Sequence, residues 1–253
     1  MTICNAFFYI CIEEVLKLTI INIFTMINAN RPEVRIQTSL LNGIEKRVLI
    51  WMAERMPKKI NSDHLTIIGF AGALISTAGY ILSNWGNHFL WLASFGLVVN
   101  WFGDSLDGTL ARVRNAQRSV YGFFIDHNVD ALTILVICIG AGLSPFIKFS
   151  TALMVLAAYL IISIYTYINA YLIGEFKITY NKLGPTEFRL VVILINTIFI
   201  YFPIEKQIVT LEGVTFSIFD ATGIGVSLIL IIIYLISFFK DRDKFAKIDP
   251  PKY

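Results

Sequence analysis

Six apolar segments, each near the length that crosses a lipid bilayer, dominate this sequence. They occupy residues 65–83, 88–107, 122–144, 149–173, 188–203 and 218–239. A helix of about 20 apolar residues spans the hydrocarbon core while satisfying its own backbone hydrogen bonds. Charged residues make up only 15% of the chain, whereas soluble proteins carry about 25%. The sequence therefore predicts an all-α, polytopic membrane protein with six transmembrane helices.

The basic residues are concentrated in alternate connections between these segments. Most of the 21 lysine and arginine residues lie in 31–63, 104–118, 174–189 and 240–253, whereas the intervening loops contain only Lys148 and Lys206. Cytoplasmic loops of membrane proteins carry such an excess of basic residues. The distribution predicts that both termini and the loop 104–118 face the cytoplasm. A net charge of only +3 gives no support for a nucleic-acid partner.

An amphipathic stretch at residues 40–56 precedes the first span. Its apolar residues recur at helical spacing, and its charged residues lie on the other face. The apolar set is Leu40, Leu41, Ile44, Val48, Trp51, Met52 and Met56, and the charged set is Glu45, Lys46, Arg47, Glu54 and Arg55. We expect an N-terminal amphipathic helix that lies in the cytoplasmic interface of the bilayer.

These patterns divide the chain into four regions. Residues 1–25 form an apolar N-terminal segment, 26–63 a cytoplasmic juxtamembrane amphipathic segment, 64–240 the six-helix domain and 241–253 a basic cytoplasmic tail. Residues 1–25 lack the basic start and the cleavage site of a signal peptide. They are interpreted either as an amphipathic helix on the membrane or as residues ahead of a translation start at Met26.

Four aspartates flank the short connection between the second and third spans. Asp104 and Asp107 are three residues apart, and Asp126 and Asp130 are four apart, so each pair shares one helix face. Two helices joined by a short loop lie side by side, so all four carboxylates can point into one gap. Ionised carboxylates at a membrane are costly and mark a functional site. Their mutual repulsion is relieved by a hard divalent cation such as Mg²⁺ or Mn²⁺, which prefers oxygen ligands.

Small residues and one arginine accompany these carboxylates. Gly108, Ala111 and Gly122 allow close helix packing or leave room for a flat ligand. Arg112 is suited to a bidentate contact with phosphate. His127 is interpreted as a packing or hydrogen-bonding residue, and the three scattered cysteines give no metal-site spacing, which argues against zinc. The combination of acids, small residues and arginine favours pyrophosphate chemistry.

The residues from 104 to 130 follow the pattern D-x2-D-G-x2-A-R-x9-G-x3-D-x3-D. This spacing resembles the signature of the CDP-alcohol phosphatidyltransferase family at all eight fixed positions. The segment INSDHLT at 60–66 is similar to the family's entry to its first span, and GPTEFR at 184–189 is similar to the start of its fifth span. The resemblance covers about residues 30–240.

The resemblance implies an activity and a set of roles. The activity is transfer of a phosphatidyl group from CDP-diacylglycerol to the hydroxyl of a small polar alcohol, with release of CMP. The family fold is six transmembrane helices with an N-terminal amphipathic helix, and it implies a homodimer. Asp104, Asp107, Asp126 and Asp130 would bind two divalent ions, with Asp130 also acting as general base. Asn61, Thr66, Gly108, Ala111, Arg112 and Gly122 would form the CDP site.

Residues that lie on the predicted cytoplasmic side, like the four aspartates, are candidates for binding the acceptor. Arg189, Lys177 and Lys182 either bind a phosphorylated acceptor, such as inositol phosphate or glycerol phosphate, or simply set the topology. Glu187 either structures the acceptor site or is an acid favoured at a helix N-terminus. Asp220 is interpreted as a residue that starts the last span.

Three other functions share parts of this pattern. A CDP-choline or CDP-ethanolamine donor would reverse the cargo and transfer its head group to diacylglycerol. An intramembrane prenyltransferase also uses paired aspartates with Mg²⁺, but its two motifs lie far apart in the chain. A transporter would be expected to place its acids near the bilayer midplane rather than at a cytoplasmic boundary.

Overall fold

A computed structural model describes residues 34–36, 42–173, 175–177, 185–201, 209–211 and 214–251. Within them, helices account for nearly all of the regular structure. The helices are α1 Asn42–Arg55, α2 Ser62–Leu82, α3 Leu90–Val113, α4 Ser119–Gly142, α5 Phe149–Ile173, α6 Pro185–Tyr201 and α7 Ile218–Ile248. A short 3-10 turn, Asn87–Phe89, leads into α3. The segment predicted at residues 1–25 lies outside the described residues.

Four short strands were not predicted from the sequence. They are β1 Val34–Ile36, β2 Glu175–Lys177, β3 Val209–Leu211 and β4 Val214–Phe216. β1 pairs in parallel with β2, with Arg35 opposite Phe176. β3 and β4 form an antiparallel pair that leads into α7. Three-residue pairs of this kind connect the helices and leave the all-helical architecture unchanged.

Five stretches of the described chain are long and apolar enough to cross a membrane. They are Ser62–Leu82, Asn87–Val113, Ser119–Gly142, Phe149–Leu172 and Ile218–Ile248. These helices confirm a multi-pass membrane protein. The remaining predicted span corresponds to α6, which has 17 residues and is therefore about 25 Å long at 1.5 Å per residue. The count of six spans stays a prediction.

Glycines bring α2 and α3 into backbone contact. A Cβ added at Gly72 would lie 2.4 Å from the backbone nitrogen of Asn100, and one at Gly103 would lie 2.3 Å from that of Gly69. Small residues at such a seam allow helices to approach closely in a membrane. α2 also packs on α4, α4 on α5, α5 on α7, and α3 on α6. The α2–α3 pair is thus the centre of the bundle.

Helix α1 has two different apolar faces. Leu49 and Ala53 are buried in a cluster with Leu65, Leu106 and Leu110 of α2 and α3. Ile44, Val48 and Trp51 are exposed on the outside of the protein. An apolar face that none of the described residues covers, on a helix beside the spans, is typical of a helix in the membrane interface. Of the predicted apolar face, Ile44, Val48 and Trp51 are exposed, Met52 and Met56 pack against the buried cluster, and Leu40 and Leu41 lie outside the described residues.

Candidate metal centre

Three of the four aspartates converge between α3 and α4. Asn115 adopts a positive φ of 50° in the connection, and both helices pack on α2 rather than along one another, which corrects the prediction that they lie side by side. One carboxylate oxygen from each of Asp104, Asp126 and Asp130 lies within 4.8 Å of the others. Opposite ligands of a magnesium ion are about 4.2 Å apart, given bonds of about 2.1 Å. This all-oxygen group therefore fits a hard divalent cation after small side-chain adjustments.

Asp107 shares the pocket but is held by α2. Its Oδ2 accepts a hydrogen bond of 2.7 Å from the hydroxyl of Thr66, and its Oδ1 accepts one from the backbone of Gly108. Ser62 also donates to the Asp107 carbonyl oxygen at 2.8 Å. Residues three apart on a helix differ by about 60° in direction, so Asp107 is turned towards α2. It lies outside the three-carboxylate group that the other predicted metal ligands form.

Helix α6 brings a cation to the carboxylates. Arg189 Nη2 donates to Asp104 Oδ2 at 2.6 Å, and the two side chains are only 16% and 26% exposed. α6 begins at Pro185, a residue favoured in the first helical turn because its missing N–H is not needed there. Glu187, in the same turn, is buried. Of the residues predicted to bind an acceptor, Arg189 therefore lies beside a predicted metal ligand, whereas Lys182 and the side chain of Lys177 lie outside the described residues.

Glu45 of α1 joins three helices beside this ion pair. Its Oε1 accepts hydrogen bonds from Trp101 Nε1 of α3 at 2.8 Å and from the hydroxyl of Thr186 of α6 at 2.7 Å. Thr186 lies three residues before Arg189 in α6, about one helical turn away. The sequence placed Glu45 on the polar face of an interfacial helix and did not reveal this contact, because its partners are distant in the chain.

The segment between α1 and α2 is fastened to the end of α3. Arg114 donates to the carbonyl oxygens of Met56 at 2.8 Å and Ile60 at 2.5 Å. Met56 directly follows α1 and Ile60 directly precedes the N-cap of α2, so the guanidinium binds a carbonyl at each end of the connection. Arg114 thus fixes the entry of α2 relative to the carboxylates of α3.

Asn61 begins α2 as its N-cap. Its side-chain oxygen accepts from the backbone nitrogen of His64 at 2.9 Å, and His64 Nδ1 accepts from the backbone nitrogen of Asn61 at 3.3 Å. The neighbouring Asp63 pairs with Arg118 at 2.5 Å. The Asp63 carboxylate raises the pKa of Arg118 above its usual value. Asn61, which the resemblance assigned to the CDP site, therefore also has a structural role as the cap of α2.

The face of α3 and α4 beyond the carboxylates is open. Among the described residues, a Cβ at Gly122 would meet nothing within 4 Å, and one at Gly108 would meet only the end of the Arg112 side chain, at 3.5 Å. Arg112 is exposed, and its Nη2 donates to the hydroxyl of Thr109 at 2.9 Å. These predicted nucleotide residues, with the half-buried Ala111, leave space for a ligand next to the carboxylates.

Two polar residues of the pocket were missed in the sequence. The pocket is lined by Thr66, Gly69, Phe70, Asn100, Asp104, Asp107, Asp126, Val129, Asp130 and Thr133. Asn100 precedes Asp104 by four residues, and Thr133 follows Asp130 by three, so each continues the face of an aspartate pair towards the bundle interior. Both are buried. The same helical spacing that linked the aspartates would have identified them.

Two other predictions concern residues outside the pocket. His127 is buried, with its ring 3.9 Å from that of Phe123 and 4.4 Å from that of Tyr167, as its packing interpretation predicts. Asp220 lies in the first turn of α7 and accepts from the backbone nitrogens of Ser217 at 3.0 Å and Lys148 at 2.8 Å. Its interpretation as a helix-start residue is confirmed.

Comparison with known proteins covers this whole region. The family model described as CDP-alcohol phosphatidyltransferase matches residues 60–219. An archaetidylinositol phosphate synthase of Pyrococcus horikoshii is 30% identical over 140 residues, which are 55% of this chain and 70% of the relative. An archaetidylinositol phosphate synthase of Methanothermobacter thermautotrophicus is 29% identical over 139 residues, which are 55% of this chain and 62% of the relative.

Proposed function

This chain belongs to the CDP-alcohol phosphatidyltransferase family, and from that membership we propose that it transfers a lipid phosphoryl group from a CDP-linked lipid to a hydroxyl of inositol phosphate. CMP is the second product. The reaction class, transfer of a substituted phosphate group by a membrane enzyme, follows from the family itself. The acceptor is supported by the two relatives, both of which are archaetidylinositol phosphate synthases.

The contact between Arg189 and Asp104 is the observation that carries this choice of acceptor. A guanidinium within 2.6 Å of the carboxylate group offers paired N–H donors that match a phosphate. An acceptor whose phosphate binds Arg189 would have its hydroxyls close to the carboxylates. A neutral alcohol would gain less from this arginine, because its hydroxyl oxygens accept weaker hydrogen bonds than the charged oxygens of a phosphate.

The carboxylates would supply the metal site and the base. Asp104, Asp126 and Asp130 would hold a divalent cation, and Asp107 with Thr66 would contribute to a second one beside it. When bound, Mg²⁺ or Mn²⁺ stabilises negative charge on the pyrophosphate and on the departing CMP. Asp130 would accept the proton of the acceptor hydroxyl. The hydroxyl oxygen then bonds to the lipid-linked phosphorus as the bond from that phosphorus to the CMP oxygen breaks.

The nucleotide would lie on the open face of α3 and α4. Gly108, Ala111 and Gly122 would leave room for the CDP group, and Arg112 would contact its phosphates. Asn61 and Thr66 would border the same site from α2. The distribution of basic residues supports an active site that faces the cytoplasm, with both termini on that side, and the family resemblance supports a homodimer.

The acceptor panel is the experiment that tests this function. Purified protein is supplied with Mg²⁺ or Mn²⁺ and either CDP-diacylglycerol or a CDP-linked ether lipid, and CMP release is measured with inositol phosphate, glycerol phosphate, inositol and serine. We expect release with inositol phosphate, and the donor comparison identifies the preferred lipid. CMP release with glycerol phosphate alone would identify glycerol phosphate as the acceptor instead. CMP release only from CDP-choline or CDP-ethanolamine with diacylglycerol would show that the head group is transferred, and it would overturn the proposal.

A further inference from the structure

Asn100 places a buried amide in the same pocket as the four aspartates. It lies on α3, one helical turn from Asp104, and is only 3% exposed. Its Nδ2 donates to the carbonyl oxygen of Gly69 on α2 at 3.0 Å. A carbonyl oxygen only accepts hydrogen bonds, so this contact fixes which end of the amide is nitrogen. The oxygen, Oδ1, accepts no hydrogen bond from any group that the structure describes.

Buried acceptors of this kind are paired with a donor or a cation in the great majority of cases. Ionised carboxylates are acceptors only, so Asp104, Asp126 and Asp130 cannot serve Asn100 in that state. A hard divalent cation, or a water molecule bound to one, satisfies both the carboxylates and a neutral amide oxygen. Amide oxygens of asparagine belong to the ligand set that such cations use.

We propose that Asn100 Oδ1 supplies a neutral oxygen to the coordination shell of the divalent cation held by Asp104, Asp126 and Asp130, at the inner end of the site. The inference rests on the proposed function, because it takes the metal centre from it. It adds a ligand that lies outside the eight-residue motif. Asn100 then has two tasks, since its nitrogen also joins α3 to α2 at Gly69.

These two tasks are separable by substitution. Asn100→Leu removes the oxygen and the bond to Gly69 at similar side-chain size. Asn100→Asp also loses the donor to Gly69, but it keeps an oxygen that can face the cation. A ligand predicts that metal affinity falls in Asn100→Leu, where no oxygen remains. Asn100→Asp adds a negative charge that attracts a cation by itself, so it serves to show that losing the bond to Gly69 does not abolish binding.

The test is Mn²⁺ binding to the purified full-length protein in lipid nanodiscs, measured by electron paramagnetic resonance without any CDP-lipid. We expect Asn100→Leu to weaken Mn²⁺ binding by about tenfold or more, and Asn100→Asp to bind at least as tightly as the wild type. Asn196→Leu is the matched control. Asn196 is equally buried at 3% exposure, but it bonds to Tyr80 and Ser94 and does not line the pocket. Its substitution should leave Mn²⁺ affinity unchanged.

Several results would overturn the inference. They are wild-type affinity in Asn100→Leu, equal weakening in Asn100→Asp and Asn100→Leu, or no Mn²⁺ binding by the wild type. If Asn100→Leu does not fold, Asn100→Ala replaces it in the same comparison. A wrong choice of acceptor would give a different pattern. Mn²⁺ binding would still depend on Asn100, but the protein would release no CMP with inositol phosphate.

Discussion

The guanidinium of Arg189 lies 2.6 Å from a carboxylate oxygen of Asp104, across the contact between α6 and α3. Asp104 is also one of the three carboxylates grouped as for a cation. The residue proposed for the acceptor and a residue proposed for the metal therefore share one ion pair. Binding of a divalent cation and binding of a phosphorylated acceptor should influence each other through this pair, because both change the charge that Arg189 faces.

Replacing Arg189 should impair acceptor binding. We expect Arg189→Ala to raise the KM for inositol phosphate by about ten- to a hundredfold, since a hydrogen bond to a charged group contributes about 1.5–3 kcal/mol. Arg189→Lys should recover only part of this, because an ammonium group lacks the paired donors. Steady-state CMP release provides the measurement. Arg242→Ala, which removes an exposed arginine paired with Asp243, is the control. An unchanged KM in Arg189→Ala would indicate a neutral acceptor.

Asp107 should be required for turnover although it lies outside the three-carboxylate group. Asp107→Asn keeps an oxygen that can accept from Thr66 but loses the negative charge. We expect transfer to be abolished in protein that remains folded and inserted in the membrane. The readouts are CMP release and the elution profile in detergent. Thr66→Val, which removes the hydroxyl that bonds to Asp107 at 2.7 Å and to the Ser62 carbonyl at 3.1 Å but keeps the carboxylate, should be less severe. Normal turnover in Asp107→Asn would remove this residue from the metal site.

The junction at Glu45 should position Arg189. Glu45→Leu leaves the donors of Trp101 and Thr186 without their shared acceptor, which we expect to cost about 1–3 kcal/mol of stability. The N-terminal turn of α6 should shift, and the KM for the acceptor should rise more than that for the CDP-lipid. Glu54→Leu changes an exposed acid on the same helix and is the matched control. Equal effects on both substrates would argue for a general loss of structure instead.

The glycine seam between α2 and α3 should tolerate no side chain. A Cβ at Gly103 would lie 2.3 Å from the backbone of Gly69, and overpacking of this kind typically costs about 1–3 kcal/mol. We expect Gly103→Ala to lower the Tm. Gly225→Ala is the control within another span, where the added Cβ meets no described residue within 4 Å. Alanine favours helix there, so its Tm should be unchanged or higher. Equal Tm values in the two variants would contradict the close packing.

The sequence was informative wherever a feature depends on local helical geometry. The lengths of the apolar segments identified the spans. The spacings of three and four residues placed each pair of aspartates on one helix face. The apolar span was predicted from residue 188, and α6 begins three residues earlier at Pro185, within the segment 184–189 that resembles the start of the family's fifth span. The direction of Asp107 towards α2 was not predictable, since it depends on how α3 rotates against the glycine seam.

Contacts between distant residues were the least accessible to sequence reasoning. Glu45 meets Thr186, and Arg114 caps the end of α1, only because the bundle brings their helices together. Asn61 was assigned to the nucleotide by resemblance, and its capping of α2 became evident only with the coordinates. Asn100 is uncharged, so the pattern of carboxylates did not include it, although its spacing from Asp104 places it on the same helix face.

Metal-dependent CMP release tests the central claim most directly. Purified wild-type protein and Asp126→Asn are incubated with a CDP-linked lipid and inositol phosphate, with Mg²⁺ or Mn²⁺ or with EDTA. We predict CMP release by the wild type that requires the divalent cation, stops in EDTA and is absent in Asp126→Asn. CMP release that continues in EDTA, or that survives loss of the Asp126 carboxylate in folded protein, would contradict the assignment of these aspartates as the metal centre of the enzyme.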